Sequence, residues 1–264
     1  MKSGVHHCPT LHSQHPTLYR KVWKKMPDME AYSDFLTRTG EFEKPELAMG
    51  DGDFHPHAEL GAKCRPDGTF GEFFGDTVVF ELKHKAKEKF AEIIEELYAK
   101  VPECFSEKIN AGTLHMTLHD LSASENLGEV AADVFNNEIK LIEVLKENPI
   151  EIKTVRMKTN FIINMVSKSL VMALVPEDEE EWNKLQTLYS LINQVKVCPY
   201  PFLTPHVTLA YFNINGFGEK SVRKLKKIVE KMNEKSFEVT LHTNKLYYQH
   251  FRSMNDYTTI FPLV

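Results

Sequence analysis

Leu114-His115-Met116-Thr117-Leu118 returns later in the chain as Pro205-His206-Val207-Thr208-Leu209. Both stretches read H-x-T-L with an apolar x, the alternation of a strand buried on one face. Residues i and i+2 of a strand share a face. His115 and Thr117 are therefore expected on one side of the first strand, and His206 and Thr208 on the matching side of the second. Two such strands at one cleft present two imidazoles and two hydroxyls to a single ligand. Imidazole exchanges protons near neutral pH, and hydroxyls hydrogen-bond oxyanions, so the set suits acid–base chemistry on a phosphate.

The bare tripeptide H-x-T carries little information: with 12 histidines it arises by chance about once in such a chain. A third copy, His15-Pro16-Thr17, is set aside because proline does not sit in a central strand. Requiring an apolar x and a following leucine lowers the chance to roughly a few hundredths per copy.

Outward from the motifs, the pattern predicts strand, helix, motif strand, helix, strand, and then the same order again. Strands are expected at 77–82, 113–121 and 150–158, with helices at 84–100 and 130–146. The second set is strands 169–175 and 204–212, helices 178–194 and 219–233, and strands 237–241, 245–251 and 257–262. The helices show apolar residues at helical spacing, as at Phe90, Ile93, Ile94, Leu97 and Val101. Motif positions correspond in the two sets, as an internal duplication would place them. The expected architecture is α+β: two pseudo-symmetric lobes, each an antiparallel sheet with two helices, around a central cleft. The expected division is 1–74 as an N-terminal extension, 75–165 as the first lobe and 166–264 as the second. A helix is expected at 18–36 and loops at 49–75. Arg65 to Gly75, with Phe70, Phe73 and Phe74, is the candidate cover for the cleft.

Around the four motif residues, His119 shares the face of His115 by simple alternation. Asp120 and Tyr211 fall on the opposite face and receive no role. A nucleotide also needs a stacking surface and positive charge, for which Tyr247, Tyr248, Phe251, Arg252, Arg156 and Lys158 are the candidates.

The doubled H-x-T-L resembles the signature of the two-histidine phosphoesterase superfamily, the LigT-like group that includes RNA 2′,3′-cyclic phosphodiesterases once called 2′-5′ RNA ligases. The resemblance spans residues 75–264. It implies the bilobal fold, hydrolysis of a 2′,3′-cyclic phosphate on an RNA end or nucleotide to a 2′-phosphate, and no cofactor or metal. It makes His115 the proton donor to the leaving oxygen and His206 the base that activates water, with Thr117 and Thr208 on the phosphate. Close alternatives are cleavage of 2′-5′-linked oligonucleotides or of another cyclic nucleotide. A binding module without turnover is the alternative from a different class.

Composition bounds these readings. Hydrophobic content of 42% supports a folded core. A net charge of −5 argues against a surface that coats nucleic acid, and leaves room for a local pocket that takes one nucleotide or RNA terminus. Cys8, Cys64, Cys104 and Cys198 are widely spaced, which favours reduced thiols and a cytoplasmic protein. Met1 to Gly4 lacks the apolar core of a signal peptide, and no stretch is long enough to span a membrane. His6, His7, Cys8, His12, His15, His55 and His57 lack the carboxylate spacing of a metal hydrolase such as H-E-x-x-H, so they read as a polar arm and loop histidines.

Overall fold

A computed structural model describes residues 30–41, 49–197 and 202–264. The histidine-rich arm, Cys8, Cys198 and the first part of the helix expected from residue 18 lie outside the described residues. Among those described are five α-helices: α1 (Tyr32–Gly40), α2 (His84–Lys100), α3 (Leu127–Glu147), α4 (Glu179–Asn193) and α5 (Glu219–Asn233). None is long and apolar enough to cross a membrane. Their limits follow local chemistry. Asn126 caps α3 through the Gly128 N–H, and Asp178 caps α4 through the Glu181 N–H. Three glutamates fill the first turn of α4, where the helix dipole favours negative charge. Val222, Leu225, Ile228, Val229 and Met232 form the buried stripe of α5.

Eight strands form one antiparallel sheet: β1 (Phe74–Glu81), β2 (His115–Ser124), β3 (Thr154–Met165), β4 (Ser169–Pro176), β5 (His206–Tyr211), β6 (Glu238–His242), β7 (Leu246–Ser253) and β8 (Asp256–Pro262). The spatial order is β6-β3-β4-β5-β2-β1-β7-β8. It splits into two four-stranded halves, joined where β5 meets β2 at the single pair Met116↔Val207. The fold is α+β with the expected pseudo-symmetry, each motif strand lying on the inner edge of its half.

The halves do not follow the chain in two consecutive blocks. β3 pairs with β4 and β6, and β7 and β8 close the half that contains β1 and β2. A division at residue 165 therefore separates β3 from its partners. The cause is a tight hairpin: Lys168 N–H donates to Met165 O at 3.1 Å. Such a turn commits β3 to β4. Val166 and Ser167 carry it with φ of 52° and 56°, angles that cost a residue with a Cβ about 1–2 kcal/mol. Ser167→Gly is expected to raise stability by roughly 1 kcal/mol, measured as the midpoint of urea unfolding.

The core lies behind the sheet. Phe80, Phe90, Leu97, Met116, Trp182, Val207 and Leu225 are wholly or almost wholly buried in one cluster. Phe35 of α1 stacks on Trp182 with ring centroids 4.1 Å apart, docking α1 on α4. Cys64 and Cys104 are buried free thiols.

Residues 49–73 run as a strap between the halves. Phe54 pairs with Phe217, and the His57 N–H donates to Ser167 O beside the β3–β4 turn. At the other end, the Phe73 N–H donates to Arg252 O on β7. The His57 ring accepts from the Glu59 N–H, capping a short 3-10 turn, Ala58–Ala62.

Candidate active site

His115 and His206 each begin their strand. The His115 Nδ1 lies 2.6 Å from Thr113 O, and the His206 Nδ1 lies 2.7 Å from Thr204 O. Each imidazole thus gives its Nδ1 proton to the carbonyl two residues earlier, which leaves Nε2 for a ligand. Continuing the antiparallel register of Met116↔Val207 by one residue each way sets His115 across from Thr208 and Thr117 across from His206. All four side chains are partly exposed on one face. No partner within the described residues engages the hydroxyls of Thr117 and Thr208.

Burial is the main influence on both imidazoles and pushes their pKa values below the usual histidine value. The carbonyls of Thr113 and Thr204 oppose it, and so does the Asp120 carboxylate. His206 further lowers His115, as a second imidazolium would be repelled, and Lys63 further lowers His206.

Asp120 reaches this face through an irregularity that simple alternation misses. In the β1–β2 register Val79 faces Thr117 and Val78 faces His119, so Leu118 is an extra residue. Such a bulge inverts the facing of the residues beyond it. Asp120 comes to the site side opposite Thr77, whose hydroxyl donates to its carboxylate at 3.3 Å. His119 turns to the helical side and is buried, its Nε2 2.8 Å from Asn193 Oδ1 and its ring stacked on Tyr189. The expected substrate contact from His119 is thereby corrected: it joins β2 to α4.

β5 repeats the device. Val171 faces Thr208 and Leu170 faces Ala210, so Leu209 is the extra residue. Tyr211, five residues after His206 as Asp120 is after His115, comes to the site side. Its ring stands edge-on to Phe70 at 5.5 Å, and its hydroxyl meets Met254 Sδ at 3.0 Å.

The remaining candidates separate by strand parity. Tyr248 pairs with Val78, on the helical side; it is fully buried, and its hydroxyl donates to Asp76 at 3.0 Å. Asp76, pushed up to about 6 by burial, also accepts from Asn137 of α3. Tyr248 therefore belongs to a buried polar network behind the site and offers no stacking surface. Phe251 faces the site side, but it is buried between Phe73 and Tyr257, so it backs the wall. Arg252 alternates outward and pairs with Asp256 at 2.8 Å. Arg156 is held by Glu177, Asp178 and Glu181 at the start of α4, which removes it from the histidines. Lys158 is exposed, paired in register with Glu238 and Val175, and Tyr247 faces the site side across from Val79.

Tyr257 is a neighbour of His115 that motif alternation does not mark. The Tyr257 ring stands against His115 with centroids 4.9 Å apart, and burial drives its phenol far above the usual tyrosine value. It helps line a cavity of about 180 Å³ with His115, Glu81, Thr113, Gln249 and Thr259. Behind the second motif, Arg38 of α1 is held by Glu30 and donates to Thr204 Oγ1 at 2.9 Å and Leu203 O at 3.0 Å. That contact steadies the residue whose carbonyl orients His206.

No family model matches the chain, and no curated protein does. Solved structures do. A conserved protein of unknown function from Agrobacterium tumefaciens shares the fold, with a TM-score of 0.63 at 13% identity over 80% of this chain and 94% of that one. A phosphoesterase matches with a TM-score of 0.43 at 17% identity, over 72% of this chain and 97% of its own. E. coli LigT in its apo form matches with a TM-score of 0.43 at 18% identity, over 72% and 96%.

Proposed function

We propose that the protein is a phosphoesterase that opens a 2′,3′-cyclic phosphate on an RNA end or nucleotide by two-histidine acid–base catalysis. One observation carries the reading: two imidazoles with Nδ1 fixed on backbone carbonyls and Nε2 free, beside two unengaged threonine hydroxyls on the same face. Neutral His206 takes a proton from water as its oxygen attacks phosphorus. Protonated His115 gives a proton to the ribose oxygen that leaves. The P–O bond of the ring breaks, and the products are a phosphomonoester and a free hydroxyl. Thr117 and Thr208 hydrogen-bond the non-bridging oxygens, where negative charge accumulates. The proton inventory closes on the two imidazoles alone, so this reaction calls on no metal or cofactor. Reversal of the roles would describe ligation.

The test is hydrolysis of a short RNA ending in a 2′,3′-cyclic phosphate with chelator present. Turnover unaffected by the chelator, with a 2′-phosphate as product, is the expected result. No turnover of this substrate, beside cleavage of a 2′-5′-linked dinucleotide, would move the activity to the second phosphodiester. Binding of nucleotide with no turnover of either would make the chain a binding module.

The same electrostatics set a pH profile. The competent pair carries one proton, so kcat/KM rises and falls with pH. Both free-enzyme pKa values lie below the usual 6.5, so the maximum is expected on the acid side of that value. Asp120 favours the imidazolium at both positions. Asp120→Asn therefore moves the maximum further to acid, read directly from kcat/KM against pH. An unmoved maximum would exclude Asp120 as an influence on the pair.

A further inference from the structure

We propose that Lys63, supplied by the strap that precedes the duplicated halves, is the cation that holds the substrate phosphate at the two histidines. This rests on the phosphoesterase reading and adds to it a residue from outside the motifs.

The backbone at Lys63 is fixed. It ends the 3-10 turn, and its carbonyl accepts from the Gly71 N–H at 2.9 Å. The next residue, Cys64, pairs with Phe70 across the turn at Pro66-Asp67-Gly68, where Gly68 takes a φ of 86°. Lys63 thus stands at the base of a closed loop. Its ammonium lies 5.1 Å from the ring centre of Phe73 and 5.5 Å from that of Tyr211. Tyr211 is the residue that the β5 bulge delivers to the site side. Two aromatic faces can hold a cation in place without neutralising it. Among the described residues no carboxylate pairs with Lys63, whereas Lys87 and Lys245 are both committed to Glu81. Its charge also acts on His206 and on Tyr257, lowering the pKa of each.

The chemistry is accelerated by such a group. The four motif side chains offer only neutral hydrogen-bond donors to the non-bridging oxygens once one imidazole is neutral and the other is spending its proton on the leaving group. A fixed positive charge that acts on the phosphorane-like transition state is the kind of preorganised group that contributes most to such reactions.

The test compares wild type with Lys63→Met and Lys63→Arg, with inorganic phosphate as the probe. Lys63→Met is expected to lower kcat/KM on the cyclic phosphate about 100-fold and to weaken competitive inhibition by phosphate at least tenfold, with Lys63→Arg recovering most of both. Because Lys63 lowers the His206 pKa, the pH profile of Lys63→Met should shift to higher pH; a merely structural role would leave it in place. A Lys63→Met protein that melts like wild type, with kcat/KM and phosphate inhibition within twofold, overturns the proposal. If wild type turns over nothing, the phosphoesterase reading falls. Equilibrium titration of phosphate, followed by the His206 ring resonances, then decides the Lys63 proposal alone: weaker binding in Lys63→Met supports it, and equal binding overturns it.

Discussion

His115→Ala and His206→Ala each lower kcat on a 2′,3′-cyclic phosphate by at least about 100-fold, the lower end of what a positioned general acid or base contributes. The double variant falls little further, because the two imidazoles act as one proton-transfer unit and removing either disables it. The measurement is single-turnover hydrolysis for the three variants beside wild type. The folded state should survive all three. Each histidine begins its strand, its ring is partly exposed, and its fixed bond is to a carbonyl only two residues away. A melting temperature close to wild type would therefore show that chemistry was lost and structure kept. A His206→Ala enzyme with near-normal kcat would remove the acid–base pair from the mechanism.

Gly75→Ala is expected to destabilise the protein by about 3 kcal/mol, at the upper end of overpacking costs. For a chain of this size that lowers the melting temperature by roughly 5–10 °C, as scanning calorimetry would record. Gly75 sits in β1 between Ala123 of β2 and Phe251 of β7. A Cβ there would lie 2.1 Å from Ser122 O and 2.4 Å from the Phe251 ring, and neither a central-strand carbonyl nor a buried ring can retreat easily. The glycine lets the Phe251 ring approach the strand closely. Phe251 in turn meets Tyr257, which stands against His115. The variant should therefore also lose activity at temperatures where it remains folded. Wild-type stability would mean that Phe251 swings aside, and Tyr257 would then no longer be fixed against His115.

Much of this protein could be read from local pattern. α2 and α5 match their expected limits of 84–100 and 219–233, and β4 differs by one residue at its end. Helical and strand periodicity, caps and turns are properties of a few consecutive residues, so a sequence displays them directly. The two H-x-T-L copies are equally local, and the structure brings their four polar side chains to one face.

Strand partnership was not local. The alternation at 150–158 marks a strand but names no neighbour. Only the Val166-Ser167 turn and the free place beside β1 decide that β3 joins one half while β7 and β8 cross to the other. The positions after each motif failed for a related reason. Alternation is reliable until a bulge, and nothing in Leu118 or Leu209 announces one. The bulge exists because β1 and β4, strands from elsewhere in the chain, set the register. One extra residue in each strand exchanged His119 for Asp120 on β2 and delivered Tyr211 on β5. Arg156, Arg252 and Tyr248 had suitable chemistry and lacked suitable partners: carboxylates or buried neighbours claim each of them. Lys63 lies in loop sequence with no periodicity at all. The sequence by itself determined most of the elements and the two motif copies, because these are written in neighbouring residues. The tertiary structure alone decided which strands adjoin, which way the side chains beyond the motifs face and where the Lys63 ammonium rests, because those depend on contacts between residues far apart in the chain.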